Sequence, residues 1–232
     1  MSSEGIDPGL DEARERLHLA DWRRRMAELY AEVRLIAASD PAAAWSHWRE
    51  VRDELYRAHP SSPVPPGSRA SFAGRYFDYD PALRFDLPVL ALEPPDMAAL
   101  QPVAGPLAHL GPVPLPISTG QPISFERVGR LEIPFRSGRR TLVLFWLPEY
   151  ASGFFLPFRD ATNGAETYGG GRYLLDTSKG ADLGSDPDRG TVIVDFNFAY
   201  QPSCAFDPRW SCPLSPPENR LDLPIRAGER LA

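Results

Sequence analysis

Lysine is almost missing from this chain. Lys179 is the only one, and every other member of the 25 basic residues is arginine. Cysteine is limited to Cys204 and Cys212, and the four histidines (His18, His47, His59, His109) all lie in the first half. The CxxC and HxxxH spacings of a zinc site are absent, so we expect no metal and no cofactor. In a reducing compartment the two cysteines are not expected to form a structural disulfide. The lack of histidine in the second half removes the commonest general base from any site built there. No apolar run approaches roughly 18 residues, so no helical membrane span is expected. The opening MSSEGIDPGLDEARERL has no apolar core of the kind a signal peptide or anchor needs, which makes the cytoplasm the default location. The net charge is -6 with no basic stripe. That argues against a nucleic-acid partner, whose capture depends on phosphate neutralisation.

What is present is an ordinary globular composition, 43% hydrophobic and 24% charged over 232 residues. Such a chain can build one large domain or a domain with a helical appendage. Asp7 can cap a helix, and Pro8 suits its first position. Leu19, Trp22, Met26, Leu29, Val33 and Ile36 then alternate at spacings of three and four. They predict a helix over 8–37 with one apolar stripe. Asp40-Pro41 opens a second helix with the stripe Ala44, Trp48, Val51 and Leu55, and His59-Pro60 closes it. Residues 1–59 thus read as a helical hairpin, which also offers a surface for homo-oligomer formation. Residues 60–122 are rich in proline, which disfavours central strands. Short strands near 71–77 and 83–92 and several aromatics suggest an extended segment packed on the core.

From residue 123 onward the pattern is antiparallel β. Leu131, Ile133 and Phe135 alternate with polar residues, Arg136-Ser-Gly-Arg139 signals a hairpin, and 141–147 is almost continuously apolar. Residues 153–158 continue the meander. Arg172–Asp176 and Thr191–Phe198 read as a further hairpin, and 220–226 as a last strand. The fold class expected is therefore α+β: an N-terminal helical hairpin followed by a mainly antiparallel β-barrel or strongly curved sheet. The whole makes one compact domain, with 123–232 carrying a C-terminal binding loop.

Two polar clusters interrupt the strands. Pro157–Tyr173 brings Arg159, Asp160, Thr162, Glu166, Tyr168 and Arg172 around a glycine triplet. The triplet has neither the spacing nor the GK[ST] ending of a nucleotide loop. Arginine forks suit carboxylate or phosphate, but a hairpin turn with an internal Arg–carboxylate pair fits equally well. In the second cluster, Asp195 and Asn197 would share one strand face, with Phe196 and Phe198 on the other. After them, 201–219 is a long irregular segment too aromatic for disorder. Its prolines stiffen it and Phe206 and Trp210 anchor it, before Glu218, Asn219 and Arg220 return polar groups.

The runs FRDATNGAETYGGGRYL, VDFNFAYQPSCAFDPRWSCPLSPPENRL and PIRAGER together resemble the bacterial family designated domain of unknown function 1684. HPSSPVPP and YFDYDPALRF are similar to its short form, longer relatives carrying an extra β-rich region between them. The resemblance implies no activity. It implies that the polar residues of both clusters, with Gly169, Tyr200, Cys204 and Cys212, act together.

Three functions fit these residues. The first is a small-molecule site in which Arg159, Arg172 and Arg220 receive an anionic ligand, lined also by Asp160, Thr162, Glu166, Tyr168, Asp195, Asn197, Glu218 and Asn219. The second is a metal-independent enzyme with Asp195 or Glu166 as general acid or base, or with Cys204 as nucleophile under a lowered pKa. The third is a structural or interaction protein in which the clusters only lock the loops. Convergence of the polar groups on an open cavity favours the first two; mutual neutralisation in a closed wall favours the third.

Overall fold

A computed structural model describes residues 8–92, 113–148, 150 and 152–231. The proposed Asp7 cap, His109 and most of the proline-rich runs between 93 and 112 lie outside the described residues. Helix α1 spans Pro8–Ala37 and α2 spans Pro41–Ala58. Asp40 caps α2, its carboxylate accepting from the Ala42 and Ala43 amides at 3.1 and 3.0 Å. His59 is extended, and Pro60 behind it ends the helix. A single turn, α3, occupies Pro66–Arg69. No helix among the described residues is long and apolar enough to cross a membrane.

The strands are β1 (Arg75–Tyr76), β2 (Arg84–Pro88), β3 (Val113–Leu115), β4 (Ile123–Phe135), β5 (Gly138–Leu147), β6 (Gly153–Phe158), β7 (Arg172–Asp176), β8 (Ser185–Asp186), β9 (Thr191–Asp195) and β10 (Glu229–Arg230). Strands β3 to β7 form one antiparallel meander in chain order, curled into a half-barrel. A second sheet has the order β2-β9-β8, and β1 pairs with β10. Between the sheets, Leu90 and Arg130 exchange backbone hydrogen bonds. That approach requires Gly129, because a Cβ there would meet the Leu90 carbonyl at 2.5 Å. The fold is α+β, as the periodicities predict.

The hairpin is stitched into the sheets' own core. Leu29, Tyr30, Val33, Ala44, Trp45 and Trp48 are buried in one cluster with Leu131, Leu144, Phe158, Val194, Phe196 and Phe198. Arg52, one position past the expected stripe, is 1% exposed on the same face of α2.

Three expectations are corrected. Arg172–Asp176 and Thr191–Phe198 are not a hairpin: β7 pairs with β6, whereas β9 pairs with β2 and β8. The strand stops at Asp195, whose carboxylate accepts from the Asn197 amide at 3.0 Å and turns 196–198 into a 3₁₀ turn. Asp195 and Asn197 therefore do not share a strand face. Residues 220–226 form no strand either; they follow β6 through isolated bonds such as Leu221 N–H to the Arg159 carbonyl at 2.8 Å.

Candidate functional site

The glycine-rich turn folds around Arg172, which is 0% exposed. One terminal nitrogen donates to Asp160 Oδ2 at 2.6 Å and to the Ile225 carbonyl at 2.8 Å. The other donates to the carbonyls of Ala227 and Glu229, at 2.5 and 3.2 Å. Asp160 also accepts from the Thr162 amide at 2.6 Å and the Thr162 hydroxyl at 2.5 Å, which in turn meets Thr167 Oγ1 at 2.8 Å. Burial pulls the Arg172 guanidinium below its ordinary value, and Asp160 opposes that pull. Gly171, at φ 99°, places its Cα where a Cβ would stand 2.7 Å from the Phe158 carbonyl.

The other predicted residues divide into separate sets. Asp195 Oδ1 accepts from Asn197 Nδ2 at 2.8 Å, and its other oxygen faces Arg84 at 3.4 Å. Asn197 in turn binds both the amide and the carbonyl of Asp80. Burial pushes the Asp195 carboxyl up, against the opposing effect of Asn197 and Arg84. Glu218 pairs with Arg127 at 2.8 Å, their side chains 8% and 2% exposed. Glu166 pairs at the surface with Arg226, 2.8 Å away. Arg220 is exposed. Arg159 is half-buried, its Nε without a partner among the described residues.

Asn219 has a different task. Its side-chain amide accepts from the Val143 amide at 2.7 Å and donates to the carbonyls of Val143 and Pro157 at 2.9 and 2.8 Å. Pro157 has no N–H to offer β5, so the ladder between β5 and β6 stops at Phe145 and Phe155. Asn219 inserts a surrogate peptide group where the ladder fails.

The sequence pattern did not expose Arg52 and Glu229. They form a two-pronged pair at 2.9 and 2.8 Å, both about 1% exposed, with the Gln201 amide donating to Glu229 at 2.7 Å. Burial pushes the Glu229 carboxyl up despite the attraction of Arg52.

The two cysteines are together and free. The Cys204 amide donates to Cys212 Sγ at 3.3 Å, and the Tyr168 hydroxyl lies 3.7 Å from Cys204 Sγ. The neighbouring Cys212 thiol, and then the Tyr168 hydroxyl, draw the Cys204 thiol below its ordinary value, against the opposing effect of burial. Cys212 is pushed up correspondingly. Among the described residues, no three His, Cys, Asp or Glu side chains gather as metal ligands.

The open space lies elsewhere, between the first half of α1 and the 201–219 segment. A cleft of about 220 Å³ is walled by Trp22, Arg23, Lys179, Trp210 and Cys212. It adjoins a wider one of about 540 Å³ that reaches His18, Arg16 and Arg209. Trp210 is fixed by its indole N–H to the Pro63 carbonyl at 3.3 Å. Phe206 packs on Tyr56 and Phe72, with ring centres 5.5 and 5.9 Å away. Phe206 thus anchors the segment on α2, and Trp210 on the loop that follows it. His59 beside the cleft is structural: its Nδ1 accepts from the Ser61 amide at 3.0 Å, leaving Nε2–H for Asp21 at 3.2 Å.

Fold and site define an α+β protein in which a helical hairpin and a proline-stiffened segment frame a small basic and aromatic cleft. The chain belongs to the family of proteins of unknown function DUF1684, which matches residues 71–230 and so leaves the hairpin outside the matched span. The solution NMR structure of an uncharacterized protein from Haloarcula marismortui is similar, with 30% identity and a TM-score of 0.52 over 79% of this chain and 90% of that one. No curated protein matches.

Proposed function

We propose that this protein binds a small organic anion with a flat, apolar body in the cleft between α1 and the 201–219 segment. The observation that carries this reading is Arg23, which lines the cleft and makes no ion pair among the described residues, with Lys179 beside it. Among the described residues Lys179 pairs with Asp176 alone, at 3.4 Å. Trp22 and Trp210 supply apolar walls between which such a body could lie. The Arg–carboxylate sets around Arg172, Asp195 and Glu218 support the loops in this reading instead of receiving the ligand. Arg172 spends both terminal nitrogens on Asp160 and three carbonyls, so it has little left to offer an incoming anion.

A thermal-shift screen of aromatic carboxylates and phosphate esters tests the reading, since a ligand of the folded state raises Tm by mass action. A hit is expected to raise the Tm of the wild type. Arg23→Ala and Lys179→Ala should leave the unliganded Tm unchanged and weaken the shift. Failure of every compound, or an equal shift in Arg23→Ala, would overturn it.

A further inference from the structure

We propose that Cys204 and Cys212 form a reversible dithiol that reduces hydroperoxides and closes to an intramolecular disulfide. Three observations converge on it. Both thiols are buried within one segment, and the Cys204 amide donates to Cys212 Sγ at 3.3 Å. The Tyr168 hydroxyl stands 3.7 Å from the Cys204 sulfur, within hydrogen-bonding reach of it. Cys212 and Ser203, the residue before Cys204, both line the cleft, so a molecule the size of a peroxide comes up against the segment that carries the pair. An inert structural cysteine sits in apolar surroundings that disfavour the thiolate. Here the neighbouring Cys212 thiol, and then the Tyr168 hydroxyl, draw the Cys204 thiol below its ordinary value.

The chemistry balances with a hydroperoxide as the only co-reactant. The Cys204 thiolate attacks the terminal oxygen of ROOH; an S–O bond forms, the O–O bond breaks, and RO⁻ leaves and takes a proton to become ROH. The Cys212 sulfur then attacks the Cys204 sulfenic sulfur. An S–S bond forms, and the departing hydroxide combines with the Cys212 proton as water. Two electrons pass from the dithiol to the peroxide, and an external thiol returns them. Tyr168 is a positioning residue whose hydroxyl steadies the thiolate.

The test uses the full chain with no cleft ligand present, so its outcome is separate from that of the ligand screen. Reduced protein is treated with one equivalent of hydrogen peroxide and read by intact mass and peptide mapping. The expected product has lost two hydrogens and links Cys204 to Cys212. Cys212→Ser should stop at a Cys204 sulfenic acid trapped by a 1,3-diketone, and Cys204→Ser should consume peroxide about tenfold more slowly. Tyr168→Phe should raise the pH midpoint of Cys204 alkylation above that of the wild type. The wild type alone suffices if a variant misfolds, because its alkylation midpoint and disulfide yield need no substitution. Two thiols still fully alkylatable after peroxide, an intermolecular dimer, or a sulfinate without the internal bridge would each overturn the proposal.

Discussion

At the scale of single residues, the buried ion pairs set the protein's sensitivities. Arg172 and Asp160 have fully buried side chains. Breaking such a pair from one side costs about 3–5 kcal/mol, because the remaining charge has no water to return to. Asp160→Asn is expected to lower the urea-unfolding free energy by that amount, and a loss below about 1 kcal/mol would show that the charge is not needed there. Asp195 makes a different prediction. Its folded pKa lies above the ordinary 3.8 because burial disfavours the carboxylate. The native state therefore holds its proton to higher pH than the unfolded chain, and this contribution to stability declines as pH rises from 3.8 through the folded value. Asp195→Asn mimics the protonated side chain and should lack that decline. Subtracting its stability–pH curve from the wild type's should leave a difference that moves in the variant's favour with rising pH. A flat difference would contradict the shift.

At the scale of elements, Asn219 makes the 201–219 segment part of the sheet. Asn219→Asp keeps the shape but exchanges the two donated bonds for an acid facing two carbonyls. Each unsatisfied buried group costs about 1–3 kcal/mol. Denaturation should report a loss of that order, with hydrogen exchange at the Val143 amide rising first. The helices were legible in the sequence because a 3.6-residue period and an Asp-Pro start are local signals, and β6 because Gly153 bounds its short apolar run. Strand partners were not. Thr191–Phe198 alternates like a single strand, but the Asp195 side chain bends the backbone two residues on. The partner of β9 is β2, some hundred positions earlier. The candidate site divides similarly. The 201–219 wall announced itself by proline and aromatic content, and the paired arginines and acids by interrupting apolar strands. Their actual partners did not, since Arg84 and Asp195 are 111 positions apart and Arg52 and Glu229 are 177 apart. Trp22 and Arg23 read as the ordinary faces of a surface helix.

At the scale of the whole molecule, the segment 225–230 ties together pieces from distant parts of the chain. Its carbonyls hold Arg172, its Glu229 holds Arg52 of α2 and the Gln201 amide, and its last residues pair with β1. Deleting residues 229–232 should remove near-ultraviolet circular dichroism and cooperative unfolding while leaving much of the far-ultraviolet helical signal.

The order in which a ribosome delivers these pieces then matters. The hairpin is made first, with Trp45, Trp48 and Arg52 on a face whose partners include Phe196, Phe198 and Glu229. Those partners are synthesised some 150 to 180 residues later, roughly ten to thirty seconds at ordinary elongation rates. Through that interval the nascent helices carry an uncovered aromatic stripe and a guanidinium awaiting its carboxylate. Closure is limited by long-range loop search, which favours slow folding. Cells making this protein quickly should therefore lose it to aggregation before they lose it to instability.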